Sequence, residues 1–369
     1  MPANKKILIH AVPGDLHSLL VQAALAERGH HTQRFLASEI PLHTDIELRF
    51  DAAESSRRIY SRLGSFDLDG VDAVWIRRTG SGSLPHFVCS EDRPFARQEL
   101  GLLQSSLRLL ADDAFCVNPW FSARRADHKP LQLQHARALG MTIPATLISN
   151  NPQAIRQFIA SHDEVIYKPL RGTQWQQGEQ TFGTYTAPVR EQDLPSDRLL
   201  RCTPGIFQRR VHKQFEVRAQ FFGASCFAIA LDSAKAESAF DWRMNQGQRL
   251  SAGRVELPSP VHAHCRALMK SLDIVSGAFD FIVTADGEWV FLEVNEGGQF
   301  LFLELWCPQL TLIDAFCDFL ESGDPDFAYC PRGTPQNFAA LQRDHDLTHT
   351  SACELADAAV APRVPEAMA

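Results

Sequence analysis

The sequence predicts a mixed α/β (α+β) fold built from two or three packed units. Its 369 residues exceed what one hydrophobic core usually supports. Over roughly the first 118 residues, strand-like runs alternate with helical ones, the pattern of a small α/β domain. From 206 onward the chain becomes strand-rich.

In the first unit, 1–118, residues 5–12 form a strand, and 16–28 carry helical apolar spacing that Gly29 ends. Asp72–Ile76 is a buried strand leading into Arg77, Arg78 and a Gly-Ser loop at 79–83. Glu91–Ala111 is an amphipathic helix, Phe115–Val117 a short strand, and Asn118-Pro119 closes the domain. The second unit, 119–204, begins with a helix running from Asp127 to Gly140, with Asp127 as N-cap and Pro130 in the first turn. Strand 145–148, helix 152–160 and strand 165–168 follow. Residues 171–183 hold three glycines and four glutamines without periodicity, which makes them a mobile loop and a candidate lid. The third unit, 205–325, contains strands 206–211, 214–222 and 226–232, a helix near 260–271, a hairpin at 279–295 and a helix at 310–320. Residues 326–369, rich in Ala and Pro beyond 330, form an accessory tail.

Composition narrows the class. A net charge of −8 argues against a broad nucleic-acid footprint, which needs clustered excess Lys and Arg. No apolar run approaches the roughly 18 residues that span a bilayer. The basic start before Ile7-Leu8-Ile9 resembles a signal peptide only superficially, because Pro13-Gly14-Asp15 breaks the run. Nine scattered cysteines, none spaced as C-x-x-C, suggest neither a disulfide framework nor a zinc site, which fits a reducing cytoplasm.

The most informative stretch is the hairpin. Asp286-Gly287 between two β-rich runs predicts a two-residue turn, so Ala285 pairs with Glu288 and Asp280 falls opposite Glu293. Asn295 then lies two residues along the same face. Opposed side chains in an antiparallel pair stand about 4.5–5.5 Å apart, where like charges repel. A hard divalent cation offsets that repulsion, and two carboxylates with an amide oxygen make an incomplete set of the kind Mg²⁺ accepts.

Lys168 ends the run Val165-Ile-Tyr-Lys168 just ahead of the Gly- and Gln-rich loop, whose backbone amides can meet phosphate; Lys129 is a second phosphate candidate. Neither a P-loop nor a G-x-G-x-x-G occurs. Strand 215–222 alternates, with Glu216, Arg218 and Gln220 on one face. Beside a metal-phosphate site, Glu216 can hold ribose and Arg218 a developing oxyanion or phosphoryl group; Arg243 is a further cation for the same centre. The cluster His262-x-His264-Cys265 is assigned to the surface, since helix positions two apart face different ways.

Lys129, Lys168 before the loop, Gln208-Arg-Arg-Val211, and Asp280 with Glu293-x-Asn295 follow one another in an order that resembles the ATP-grasp superfamily. More narrowly, the chain resembles the ATP-grasp ligases that cyclise ribosomal peptides, the microviridin or graspetide maturases. The matching phrases are Val74-Trp-Ile-Arg-Arg78, Asn118-Pro-Trp120, His128-Lys-Pro-Leu-Gln132, Val165-Ile-Tyr-Lys-Pro-Leu170, Lys213-x-x-Glu216-x-Arg218, Asp241-Trp-Arg243 and Phe291-Leu-Glu-Val-Asn295. They run from about 70 to 320. One departure is Glu296, where the family usually has proline after the asparagine.

The resemblance implies an ATP-grasp fold with an N-terminal pre-ATP-grasp α/β domain and ATP between a small and a large subdomain. It places Lys129 and Lys168 on phosphates, Gln208 and Val211 in the adenine pocket, Lys213 and Glu216 near the nucleotide, and Asp280, Glu293 and Asn295 on Mg²⁺. The activity it implies is ATP-dependent activation of Asp or Glu side chains of a ribosomal precursor peptide, giving acyl phosphate and ADP. A Ser, Thr or Lys side chain of the same peptide then displaces phosphate, closing an ω-ester or ω-amide ring, while Lys168, Arg218 and Arg243 neutralise charge. The implied cofactors are ATP and Mg²⁺. The implied partner is a precursor peptide with a leader segment, for which 190–200 and 233–256 are candidate contacts by analogy. Neither nucleic acid nor membrane is implied, and a homodimer is compatible. Two rivals stand beside this reading: an ATP-grasp ligase joining free amino acids or peptides, and a nucleotide-binding regulator that has lost chemistry. The intact triad and lysines disfavour the second.

Overall fold

The computed structural model describes residues 4–52, 55–80, 82, 84–111, 113–172, 174–177, 180–183, 186–232 and 251–359. β1 (Lys6–Ala11) leads into α1 (Leu16–Glu27), whose N-cap Asp15 accepts from the His17 amide. β2 (His31–Leu36) returns parallel to β1. β3 (Thr44–Phe50), β4 (Ser55–Ser61) and β5 (Gly64–Asp67) form an antiparallel sheet of their own. β6 (Ala73–Ile76), α2 (Arg93–Leu109) and β7 (Phe115–Val117) complete a parallel sheet of order β2-β1-β6-β7. The order reverses between β1 and β6, so their carboxyl ends, leading to Asp15 and to Arg77, lie side by side.

α3 (Trp120–Ala126) and α4 (Lys129–Ala138) meet at a tight junction. Asp127 closes α3, its amide donating to the Ala123 carbonyl, and His128 opens α4. Asp127 is therefore a C-cap rather than the expected N-cap; a seven-residue α3 leaves too short a pattern to be seen. β8 (Thr146–Ser149), α5 (Pro152–Ala160) and β9 (Val165–Lys168) follow. The segment 171–183 is not a plain loop: β10 (Gln174–Gln177) and β11 (Gln180–Gly183) pair antiparallel. Their Gln-rich sequences lack the alternation of apolar and polar residues by which a strand is read. β12 (Ala187–Val189), α6 (Asp197–Cys202) and β13 (Gly205–Arg209) complete an antiparallel sheet, β12-β9-β13-β8.

β14 (Phe215–Phe222), β15 (Ser225–Asp232), β16 (Ser251–Val255), α7 (Ser259–Leu272), β17 (Ser276–Val283) and β18 (Trp289–Asn295) build the largest sheet, β16-β15-β14-β17-β18. One face packs Val217, Phe279, Phe281 and Phe291 on Leu268 and Leu272 of α7. Cys265 sits inside that core and His262 bonds the Ala224 carbonyl, so this cluster is not the surface feature its spacing suggests. The opposite face, through Phe222 and Ile229, shares a core with Ile7, Ile9 and Trp75 across α8 (Leu301–Trp306) and α9 (Leu312–Ser322).

Nor are the described residues beyond 330, up to 359, an accessory tail. α10 (Phe338–Asp344) and α11 (Leu347–Ala359) send Phe338, Leu341 and Leu347 into the core with Leu20 and Leu25 of α1. Glu354 of α11 pairs with the buried Arg34 and accepts from the Gly14 amide at 2.9 Å. Among the described residues no helix is long and apolar enough to cross a membrane.

Candidate active site

The hairpin reaches the predicted pairing by another route. The Thr284 amide donates to the Glu288 carbonyl and the Gly287 amide to that of Thr284, both at 3.0 Å, leaving Ala285-Asp286-Gly287 as a three-residue loop. Gly287 takes φ +86°, a conformation that suits glycine. The extra loop residue shifts the pairing by one, so Phe281 faces Phe291. A β-bulge then absorbs Leu292, and the register returns, with Asp280 opposite Glu293 and Ala278 opposite Asn295. Two one-residue irregularities cancel. The bulge sends Phe291 into the core while Leu292 lines a pocket.

Asp280 and Glu293 are each only 9% exposed, yet the protein supplies its own cations against their repulsion. Arg218, in register with Asp280 across β14 and β17, donates one nitrogen to both carboxylate oxygens at 2.9 Å. Lys129, the first residue of α4, pairs with Glu293. The Asn295 amide donates to Asp280 at 3.1 Å. The fold therefore offsets part of that repulsion with its own cations, where the sequence reading names only a divalent ion. Their donor chemistry still suits a hard divalent ion: two carboxylates, plus an amide whose half-turn presents oxygen instead of nitrogen. Among the described residues there is no cluster of three His, Cys, Asp or Glu side chains, so the amide is an essential member of any such set.

Gln132, one helical turn beyond Lys129, explains how that lysine is placed. Its amide accepts from the Val294 N–H at 2.9 Å and donates to the Val294 carbonyl at 2.8 Å, acting as a surrogate strand for the edge of β18. Thr142 continues the edge by accepting from the Phe291 amide at 2.9 Å. Sequence reasoning missed this role for Gln132; its i, i+3 spacing from Lys129 is the signal that carries it.

A pocket opens between β9 and β13 on one side and β14, β17 and β18 on the other. It is lined by Ile166, Lys168, Gln208, Val211, Lys213, Glu216, Ile282 and Leu292. Lys213 and Glu216 pair within it. Gln208 donates to the Thr146 hydroxyl at 3.0 Å, while its own carbonyl oxygen is buried without a partner. An orphan acceptor at the wall of a pocket is a place where a ligand's amino group gains a hydrogen bond. The structure thus gathers Lys168, Gln208, Val211, Lys213 and Glu216 here, and Lys129, Arg218, Asp280, Glu293 and Asn295 at the carboxylate pair. Arg243 and segment 233–250 lie outside the described residues.

Glu296 lies beside Asp127, Arg124 and Arg77; burial and the Asp127 charge push its carboxyl up to about 7. Asn118, after β7, was expected only to close a domain, yet its buried amide bonds both Ser276 and Glu296.

Fold and site together define an ATP-grasp ligase. Residues 6–120 match the MvdD pre-ATP grasp domain, and the chain is a ligase of the graspetide-maturase type. It is similar to a RiPP-associated ATP-grasp ligase from Chryseobacterium gregarium, solved with ADP and a leader and core peptide. That likeness has 25% identity, a TM-score of 0.80, and coverage of 87% of this chain and 98% of the other. It is also similar to the macrocyclase MdnC of Microcystis aeruginosa MRC, solved with precursor peptide MdnA, at 29% identity and TM-score 0.76, covering 86% of this chain and 100% of that one. The macrocyclase MdnB of the same organism shares 27% identity at TM-score 0.71, with 86% and 99% covered. No curated protein matches the chain.

Proposed function

We propose that this ligase uses ATP to activate Asp or Glu side chains of a ribosomal precursor peptide and closes ω-ester or ω-amide rings within that peptide. One observation carries the reading: a pocket bearing Lys168, Gln208 and Glu216 opens between two sheets, one of which carries a buried carboxylate pair flanked by Lys129 and Arg218. In this reading adenine rests against Ile282 and Leu292, with Gln208 and Val211 at its edge and Lys213 and Glu216 toward the ribose. Lys129 and Lys168 bind phosphate. Asp280, Glu293 and Asn295 would hold Mg²⁺, which supplies neutralising charge to the transferring phosphoryl group. Arg218 and Arg243 orient the substrate carboxylate and stabilise the charge that develops on it. Residues 1–118, 119–204 and 205–325 act as pre-ATP-grasp, small and large ATP-grasp units, with α10 and α11 packed back on the first.

The test is ADP release and product mass with a candidate acid- and Thr-rich precursor carrying its leader. Peptide-dependent ADP release and loss of one water per ring support the reading. ADP release driven by free amino acids, with peptides inert, would favour the rival ligase.

A further inference from the structure

The segment that leaves the carboxylate pair, Glu296 to Leu301, is held from the N-terminal domain at three points. Asn118 donates to the Ser276 and Glu296 carbonyls, both at 2.9 Å, and accepts from the Val275 and Ser276 amides at 2.8 and 2.9 Å. It thereby ties the start of β17 to the residue after β18. Arg77, 5% exposed, donates to the Gly297 carbonyl at 3.1 Å, and its Nε lies 3.3 Å from Asp15. His17 accepts through Nε2 from the Phe300 and Leu301 amides, both at 3.3 Å, at the start of α8. Between these grips Gly298 lies so close that a Cβ there would stand 2.6 Å from that of Ala278 and 3.1 Å from an Arg218 nitrogen.

Asn295 is the last residue of its strand, and the chain turns away directly after it. A strand end frays unless its neighbours are fixed, and a site loses catalytic power steeply when a group drifts by about 1 Å. Arg77 suits the task because its guanidinium spans two domains, with one end on the N-cap of α1 and the other on Gly297. We propose that Arg77 is a positioning residue for the ligase reaction: with Asn118 and His17 it clamps the loop 296–301 and so sets where Asn295 stands beside Asp280 and Glu293. This rests on the reading of Asp280, Glu293 and Asn295 as the metal-binding set.

The experiment compares Arg77→Gln with Arg57→Gln. Arg57, on β4, likewise bridges a carboxylate and a backbone carbonyl, those of Asp69 and Leu110, both at 2.6 Å. Amide exchange is measured without nucleotide, and the Mg²⁺ concentration for half-maximal peptide-dependent ADP release is measured on the same proteins. In Arg77→Gln the amides of 297–301 should exchange about tenfold faster, and the Mg²⁺ requirement should rise about fivefold or more. Arg57→Gln should leave both within about twofold. Unchanged exchange at 297–301 in Arg77→Gln would overturn the clamp, as would equal shifts in the two variants. A fully active Glu293→Gln would instead remove the metal reading, and with it the catalytic role of Arg77, whatever the exchange rates.

Discussion

Arg218 and Asp280 stand in register across β14 and β17, and one guanidinium nitrogen reaches both carboxylate oxygens at 2.9 Å. Arg218 Nε is buried without a partner. The guanidinium thus keeps donor capacity for a second anion while it neutralises the first.

Arg218→Ala leaves Asp280 buried with the Asn295 amide as its remaining neutral donor. Stability should fall by roughly 3–5 kcal/mol, as for a buried pair that loses one member. Peptide modification should fail even at saturating ATP, and Arg218→Lys should restore little of it, because an ammonium lacks the planar fork. Urea unfolding and product mass on the same protein check both statements; an alanine variant as stable as the parent would contradict the first.

Glu293→Gln acts differently. It gives up an ion pair with the partly exposed Lys129, worth about 1 kcal/mol or less. It also relieves repulsion with Asp280. The unfolding midpoint should barely move, while turnover drops by about 100-fold or more.

Phe291 and Leu292 are neighbours with separate fates. Phe291→Ala should cost about 3–5 kcal/mol of stability, since its ring is fully buried. Leu292→Ala should leave the fold intact and weaken nucleotide binding by about 1–2 kcal/mol, read by calorimetry. Equal losses of stability in the two variants would argue against the bulge.

Acid should loosen the molecule through its buried imidazoles. Burial, with Arg77 and Arg78 nearby, holds His17 well below the ordinary histidine range, although Asp15 lies 3.9 Å from its other nitrogen. Burial and Arg108 lower His10 to about 3. A depressed folded value means stability that is present above the unfolded value near 6.5 and is lost as pH falls toward the folded one. His17→Gln retains an acceptor for the Phe300 and Leu301 amides and removes one proton from the balance. Below about pH 6 its stability should fall less steeply than the parent's, by up to about 1.4 kcal/mol per pH unit. Identical slopes in pH-dependent unfolding would count against this assignment.

Much of the architecture is legible because its strands alternate or form short apolar runs. Phe215–Phe222 declares its polar face, and Val165–Lys168 its apolar one. β3, β4 and β5 escape notice although Ile46 and Leu48 alternate with exposed Asp45, Glu47 and Arg49: the runs are mostly polar, and β4 and β5 each bury a single side chain, Ile59 and Phe66. The Asp280–Glu293 pairing is found although the turn is misjudged, since Asp-Gly suits two- and three-residue loops alike and nothing local announces the bulge at Leu292. Pairings between domains are invisible in principle: Arg77 stands out as a charged strand end, but its partner Gly297 lies 220 residues away.

The bond between Glu354 and Gly14 joins residues 340 apart. A chain emerges from the ribosome from its N-terminus, and early domains usually finish folding while later ones are still being made. Here part of the first domain's packing waits for α10 and α11. Its loop at 12–17 lacks the helix that braces it, Arg34 lacks its counter-charge, and the apolar side of α1 lacks its cover until α11 is released. The same loop carries Asp15 and His17, which steady Arg77 and the start of α8 beside the carboxylate pair. Order of synthesis thus becomes a checkpoint: a polypeptide interrupted before α11 has every proposed ATP and metal ligand and still lacks the contacts that brace the loop carrying Asp15 and His17.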